Sequence, residues 1–283
     1  MAIDPDKLLN FAIPEQRQRV TKRDTVFYAL SIGLGADPLD EAQLDFVDQH
    51  RALKAMPSVV VVLGHPGFWL ANPDTGVDAL RLVHGEQRIA WHAPLPVEGE
   101  IIGRTRVIGL VDKGPGKGAL LYSEKAVTDA ATGQLLATTT STTFLRGDGG
   151  CGGPTGPILQ AAPAPEGTPD QVIDLATRPE QALYYRLNGD DNPLHADPAV
   201  AAKAGFPRPI LHGLCTLGVV THALLRGLAG YDPARFRSLA LRFAAPVYPG
   251  ETIRTEIWNN GGFRARVIER DIVVVNNGLV ELA

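Results

Sequence analysis

The feature that most constrains the fold of this chain is a weak internal repeat. Thr21 to Gly33 reads TKRDTVFYALSIG, and Thr177 to Gly189 reads TRPEQALYYRLNG. Each copy opens with Thr, a basic residue and, at its fourth position, an acid, a pattern typical of capped helix starts. Each has a tyrosine at its eighth position, Tyr28 or Tyr184. Two copies at similar places in the two halves predict two related domains.

A second pair of matching segments follows in the same order. Ala93 to Glu100 reads APLPVEGE and Ala245 to Glu251 reads APVYPGE, and each precedes an alternating stretch that is typical of a strand. Both halves close with hairpin signals, at ATG (131–133) and at NNG (276–278). A helix followed by several strands, found twice, predicts a duplicated α+β domain. Chance similarity between short segments is the alternative.

The two halves are separated by a stretch that is poor in core-forming residues. It runs from Gly147 to Asp170 and reads GDGGCGGPTGPILQAAPAPEGTPD, which is the composition of a linker. We therefore predict an N-terminal domain over residues 1–147, a linker over 148–170 and a C-terminal domain over 171–283.

One segment of the second half predicts how the strands are arranged. Ile210 to Leu228 reads ILHGLCTLGVVTHALLRGL, with apolar residues on nearly every face, as in a buried helix. Such a helix has to be wrapped by the strands that follow it. A curved antiparallel sheet around one long buried helix is the hot-dog fold. Two copies in one chain predict an α+β double hot-dog fold.

Composition argues against several classes of function. The chain has 283 residues and a formal net charge of -4, so it lacks the basic excess that nucleic-acid binding requires. Its longest obvious apolar run, Val59 to Leu63, is far shorter than the roughly 20 residues of a membrane helix. Cys151 and Cys215 are the only cysteines, which argues against a disulfide framework or a cysteine zinc site. With no secretory signal recognised, we expect a reducing, cytoplasmic location.

The segment most informative about function, from Tyr185 to Asp197, reads YRLNGDDNPLHAD. Its GDDNP cluster predicts a tight turn that leaves Asp190 and His195 on irregular backbone. Histidine titrates near neutral pH, and a carboxyl five residues away can act on the same small molecule, which favours general acid–base catalysis. Gly213 adds to this interpretation, because N–H groups at the start of a long helix favour a developing oxyanion. The alternative is structural, with an Asp in a turn and an ordinary hydrogen-bonded His.

The same segment closely resembles the signature of the hydratase 2 family, the R-specific 2-enoyl-CoA hydratases with MaoC-like dehydratase domains. Four other blocks, spread along most of the chain, are also similar to this family: VHGEQ (83–87), FLRGDGGCGG (144–153), PILHGLCTLG (209–218) and LRFAAPVYPGET (241–252). The resemblance implies a hydro-lyase that interconverts trans-2-enoyl-CoA and (R)-3-hydroxyacyl-CoA in fatty-acid or related acyl-CoA metabolism.

The resemblance also implies roles for residues that match its motifs. Asp190 and His195 are similar to the catalytic pair. Asn192 would help hold the reacting water, and Gly213 would give its N–H to the thioester oxygen. No metal or redox cofactor is implied, because the thioester already acidifies C2. The implied substrate contacts are His84, Gly85, Lys113 (beside the CoA phosphates), Asp191, Pro193, Leu194 and Phe243.

The first repeat does not carry the catalytic pair. Gly33 matches Gly189, but Leu34 and Gly35 follow it where the second copy has Asp190 and Asp191. We therefore predict one active site per chain, with the first half free to bind the acyl group and CoA. The resemblance further implies a homodimer.

Two residues of the catalytic motif depart from the family pattern. Asn188 stands where a small hydroxyl residue is usual, and it keeps a polar side chain in the turn. Asp191 stands where a bulkier residue is common. A like charge close to Asp190 would disfavour ionisation of that carboxyl, so we expect Asp191 to point to solvent.

Two other functions remain open at this stage: a hot-dog acyl-CoA thioesterase and a non-catalytic acyl-CoA-binding protein. Four of the remaining histidines have no partners at metal-like spacing and are interpreted as surface or packing residues: His50, His65, His92 and His222. His212 is interpreted as a residue that caps or packs near the start of the buried helix.

Overall fold

The computed structural model describes residues 3–79 and 81–283, and its main feature is one ten-stranded antiparallel sheet. The strands are β1 (Gln16–Val20), β2 (Leu82–Trp91), β3 (Gly99–Asp112), β4 (Ala119–Asp129), β5 (Leu135–Leu145), β6 (Gln171–Ala176), β7 (Phe236–Phe243), β8 (Thr252–Ile257), β9 (Gly262–Val267) and β10 (Ile272–Leu282).

Six α-helices lie among the described residues, and only one of them is long. They are α1 (Pro5–Leu9), α2 (Lys22–Ser31), α3 (Glu41–Val47), α4 (Gln181–Tyr185), α5 (Pro198–Lys203) and α6 (Gly213–Gly227). Short 3₁₀ helices complete the connections. No helix in the described part of the chain is long and apolar enough to cross a membrane.

The strand order shows the duplication directly. The sheet runs β1-β3-β4-β5-β2-β7-β10-β9-β8-β6. Counted inward from either edge, each half therefore places its first, third, fourth, fifth and second strands in the same order. The halves meet where β2 pairs with β7, with Arg88 opposite Ala240. The predicted α+β double hot-dog fold is confirmed, and the repeat lies in the topology as well as in the sequence.

The long helix α6 forms the core of the second half, as predicted. Every residue from Cys215 to Leu225 is buried. A Cβ atom at Gly218 would lie 2.6 Å from Cγ2 of Ile32, so the absence of a side chain there lets the end of α2 pack against α6. In the first half, the described residues between α3 and β2 form only short 3₁₀ helices, the first of them Pro57–Val61. Among the described residues α6 is therefore the one long helix, although both halves contribute strands to the sheet.

A buried lysine holds the Pro57–Val61 helix in place. The ammonium group of Lys125 on β4 donates to the carbonyl oxygens of Val60, Val61 and Leu63, at 3.1, 2.9 and 2.6 Å. Burial lowers the pKa of Lys125 to about 7. The three carbonyls use all three ammonium donors, so the buried charge is fully hydrogen-bonded.

Replacement of Lys125 by Met is expected to lower the free energy of unfolding by roughly 2–5 kcal/mol, because three buried carbonyl groups lose their partner. Denaturant unfolding measures this change. Lys117→Met, at an exposed site in the β3–β4 turn, is the control and should stay within about 0.5 kcal/mol of the parent. Equal stability of the Lys125 and Lys117 variants would contradict the anchoring role.

The two predicted helix starts differ in outcome. Thr21 caps α2 through a complete capping box with Asp24, as expected. Thr177 does not cap a helix, because its hydroxyl donates to the carbonyl of Glu251 at 2.7 Å and accepts the Gly250 N–H at 2.9 Å. Helix α4 consequently begins only at Gln181. A tertiary contact with the turn before β8 has replaced the local cap.

The hairpin predicted at NNG (276–278) is wrong, whereas the one at ATG (131–133) does connect β4 and β5. NNG lies inside β10, where the pairing with β9 shifts register between Val275 and Gly278. A Cβ atom at Gly278 would lie 2.4 Å from the ring of Phe263. The glycine therefore lets β10 bulge around this ring rather than turn.

Candidate active site

The segment that carries Asp190 and His195 folds as a connection between α4 and α5 with its own turn and cap hydrogen bonds. Gly189 adopts φ 105° at the end of a short 3₁₀ helix, a left-handed conformation that glycine permits. The Asn192 side chain accepts the Leu194 N–H at 3.0 Å and so caps the 3₁₀ turn Pro193–His195. Asp197 then caps α5, as the sequence predicts. Asp190 and His195 are thus held on irregular but well-capped backbone.

His195 is held as a proton acceptor. Its Nδ1 lies 2.8 Å from the carbonyl oxygen of Ile210, so Nδ1–H donates and Nε2 keeps a free lone pair. Burial lowers the pKa of His195, although the Ile210 carbonyl and the Asp190 carboxylate raise it in part. A neutral imidazole with a free Nε2 is the form that a general base needs at neutral pH.

His212, interpreted from sequence as a capping or packing residue, belongs to the same site. Its ring stacks on that of His195 with centroids 3.7 Å apart. Its Nε2 donates to the backbone carbonyl of Asp190 at 3.1 Å, which helps to fix that residue. Burial, followed by the neighbouring His195, lowers the pKa of His212 to about 3, so its ring is neutral. The sequence signal was a histidine immediately before the first residue of the buried helix.

The two departures from the family motif are accommodated. Asn188 donates to Oγ of Ser31 on α2 at 2.9 Å and to the Tyr185 carbonyl at 2.9 Å, so it ties the motif to the first half of the chain. Asp191 is exposed, as expected, and so is Asn192. The second carboxylate of the motif therefore faces solvent.

Two predicted substrate contacts, His84 and Phe243, lie together at the start of α6. A Cβ atom at Gly213 would meet the Phe243 ring at 3.5 Å, and that ring packs edge-on against His84 at 5.0 Å. Gly85 lies at a register shift in the pairing of β2 with β5. Leu194 is half-buried. The structure thus brings residues from β2, β7 and the α6 N-terminus to one place.

His65 was interpreted from sequence as a surface or packing residue. The charges of Asp190 and His84 both act on it, so it lies near the site. Its Nδ1 accepts the Gly67 N–H at 3.1 Å, which leaves Nε2 free. The residue is exposed, yet burial is the main cause that lowers its pKa, to about 4. Nothing in the sequence around it signals this position.

Lys113 lies on the turn between β3 and β4. Its ammonium group sits 5.2 Å from the centre of the Phe144 ring, and Phe144 pairs with Val83, the neighbour of His84. The turn is fixed by Asp112, whose carboxylate accepts N–H groups of Gly114, Gly150 and Gly152 at 2.7–2.9 Å. The glycine-rich stretch after β5 is therefore folded back onto this hairpin.

Three side chains of the site could also serve as metal ligands. Asp190, His195 and His212 offer ligand atoms within 4.8 Å of one another, and no other such group occurs among residues 3–79 and 81–283. One nitrogen of each ring is already hydrogen-bonded to a backbone carbonyl. The remaining carboxylate and neutral imidazole form a set that can transfer protons directly.

Comparison with known families decides the assignment. A family model described as "MFE-2 hydratase 2 N-terminal domain" matches residues 19–147, and one described as "MaoC like domain" matches residues 160–281. The chain belongs to the MaoC-like hydratase 2 family.

Members of this family resemble the chain over nearly its whole length. 3-Hydroxyacyl-thioester dehydratase Y of Mycobacterium tuberculosis is 41% identical over 99% of this chain and 99% of its own. The peroxisomal enoyl-CoA hydratase 2 of Arabidopsis thaliana is 38% identical over 95% of this chain and 93% of its own. The crystal structure of a MaoC-like dehydratase from Phytophthora capsici superposes with a TM-score of 0.88 at 34% identity, covering 99% of this chain and 98% of that one.

Proposed function

We propose that the chain is a hydro-lyase that reversibly hydrates trans-2-enoyl-CoA to (R)-3-hydroxyacyl-CoA. The observation that carries this proposal is the arrangement of His195, whose Nε2 is free beside the Asp190 carboxylate. The names of the two relatives, a hydroxyacyl-thioester dehydratase and an enoyl-CoA hydratase, support the same reaction in its two directions.

The geometry supports a stepwise division of roles. Nε2 of His195 takes a proton from a water held between it, Asp190 and Asn192, and the water oxygen attacks C3. Negative charge develops on the thioester oxygen, where the Gly213 N–H at the start of α6 stabilises it. The proton taken by His195 then passes to C2 through the Asp190 carboxylate or the same water network, which returns His195 to its neutral form. His84 and Phe243 would contact the thioester end of the substrate, and Lys113 would contact CoA.

No resident cofactor is part of this proposal, because the thioester itself makes C2 acidic enough for proton transfer. We further propose the division into an acyl- and CoA-binding domain (1–147), a linker (148–170) and a catalytic domain (171–283). A homodimer and a cytoplasmic location are also proposed. Gel filtration with light scattering tests the dimer.

The rate of hydration is expected to fall at acidic pH, with the acid limb of kcat/KM below the value of 6.5 for a free imidazole. The base acts only when neutral, and burial lowers the pKa of His195, so the neutral form persists below 6.5. A pH–rate profile measures the limb. An acid limb above 6.5 would contradict this assignment of the base.

Unfolding has to be followed over the same pH range. The folded chain keeps His212, with a pKa of about 3, neutral, while the unfolded chain protonates it below 6.5. Its contribution to stability is therefore complete above 6.5 and is lost as the pH falls toward 3. Rates measured only where the chain remains folded isolate the effect on catalysis.

Hydration can be separated from the two rival functions in one assay. With a 2-enoyl-CoA as substrate, a hydratase removes the enoyl absorbance and releases no thiol. A thioesterase releases free CoA, and a binding protein does neither. Enoyl-CoAs of increasing length and bulk should then define which acyl groups the chain accepts. Thiol release without 3-hydroxyacyl product would refute the proposed function.

A further inference from the structure

Buried aromatic and polar side chains lead from the catalytic histidine into the contact between the two halves. His195 stacks on His212, whose ring lies 5.0 Å from that of Tyr185. The Tyr185 ring lies 6.1 Å from that of Tyr28 on α2. The Ser58 side chain in turn lowers the pKa of Tyr28 in part, against the larger rise that burial causes. The last two residues belong to the half that lacks a catalytic pair of its own.

Four polar atoms along this path have no hydrogen-bond partner within the described part of the chain. They are Oη of Tyr28, Oη of Tyr185, Oγ of Ser58 and Nδ1 of His212, and each of these residues is at most 1% exposed. The Ser58 and Tyr185 hydroxyls lower the pKa of Tyr28 in part, and Tyr28 raises that of Tyr185. None of the three hydroxyls nevertheless has a partner at hydrogen-bond distance and angle. Native interiors rarely leave such groups unpaired, and an internal water with several polar partners is the usual solution.

The free nitrogen of His212 has a defined need. Because Nε2–H donates to the Asp190 carbonyl, Nδ1 of the neutral ring is an acceptor. Burial raises the pKa of both Tyr28 and Tyr185, so their hydroxyls remain protonated donors. Tyr185 is the hydroxyl residue whose ring contacts His212.

We propose that Tyr185 is a positioning residue for hydration: through an internal water shared with Tyr28 and Ser58, its hydroxyl is linked to Nδ1 of His212. The link keeps His212 in the tautomer that binds the Asp190 carbonyl and holds its ring against His195. This inference rests on the proposed function, because its effect on turnover assumes His195 as the base.

Tyr185→Phe removes only the hydroxyl. We expect kcat for a 2-enoyl-CoA to fall about three- to tenfold with KM within about twofold, as for the loss of one hydrogen bond that orients a catalytic group. Tyr184→Phe, at the exposed neighbour, is the matched control and should match the parent. An unchanged kcat in Tyr185→Phe, or a change confined to KM, would overturn the proposal.

A second readout does not depend on turnover. In ¹⁵N NMR spectra of the resting protein, Nδ1 of His212 should appear as a hydrogen-bonded acceptor. In Tyr185→Phe the resonance of this nitrogen should move toward the chemical shift of an imidazole nitrogen without a hydrogen bond. The resonances of His222 serve as an internal reference. If Tyr185→Phe does not fold, Tyr28→Phe should shift the same signal by a smaller amount. An Nδ1 signal that neither variant moves would refute the link, whereas lack of hydration by the parent would refute only the proposed function.

Discussion

Replacing Asp190 by Asn, or His195 by Ala, is expected to lower kcat for hydration of a 2-enoyl-CoA by about 10²–10⁴-fold. The first change removes a carboxylate that helps to hold the water and return a proton. It retains the backbone carbonyl that His212 binds, so the local fold should survive. The second change removes the imidazole whose Nε2 accepts the proton of the water. Loss of the enoyl absorbance measures both variants.

The two variants should not act independently. Because Asp190 and His195 serve one proton-transfer step, the double variant is expected to be little slower than the slower single variant. His50→Ala, at an exposed histidine, is a control for the loss of an imidazole and should retain the parent rate. Retention of turnover within tenfold by either single variant would show that the proton transfers use other groups.

Replacing Gly213 by Pro is expected to lower kcat by about 10²–10³-fold, because it removes the N–H assigned to the developing oxyanion. The helix itself should tolerate the change. Gly213 is the first residue of α6, where proline is favoured, and His212 has φ -57° and ψ 137°, which suits a residue before proline. Single-turnover rates and circular dichroism of the variant together measure the effect on chemistry and on folding.

Gly213→Ala separates the effect of losing the N–H donor from the effect of adding a side chain next to Phe243. A Cβ atom at this position would meet the Phe243 ring at 3.5–3.7 Å, which is ordinary van der Waals contact. The alanine variant keeps the donor and should stay within about tenfold of the parent rate. If the proline and alanine variants lost equal activity, packing against Phe243 rather than the N–H would explain the loss.

Much of the fold could be predicted because its main determinants are local patterns. The all-apolar stretch of α6 and the capping box at Thr21 each fix an element without reference to the rest of the chain. The predictions at Thr177 and at 276–278 were wrong because distant partners decide both. Thr177 is used by the turn before β8, and Gly278 makes room for Phe263.

The candidate site shows the same division. The loop with Asp190 and His195 carries its own turn and capping signals, so the sequence predicts its conformation. The positions of His212 and His65 relative to the site could not be predicted, because they depend on residues far along the chain. Lys125 gave no signal either, since a single lysine in a strand does not reveal the three carbonyls that surround it.

The most direct test of the proposed reaction is the configuration at C3 of the product formed from a trans-2-enoyl-CoA in water. Chiral analysis of the hydrolysed product, with free thiol measured in the same sample, gives the answer. The proposal predicts the (R)-3-hydroxyacyl thioester without release of CoA. An S product would contradict the stereochemical assignment, and release of CoA without hydration would contradict the reaction itself.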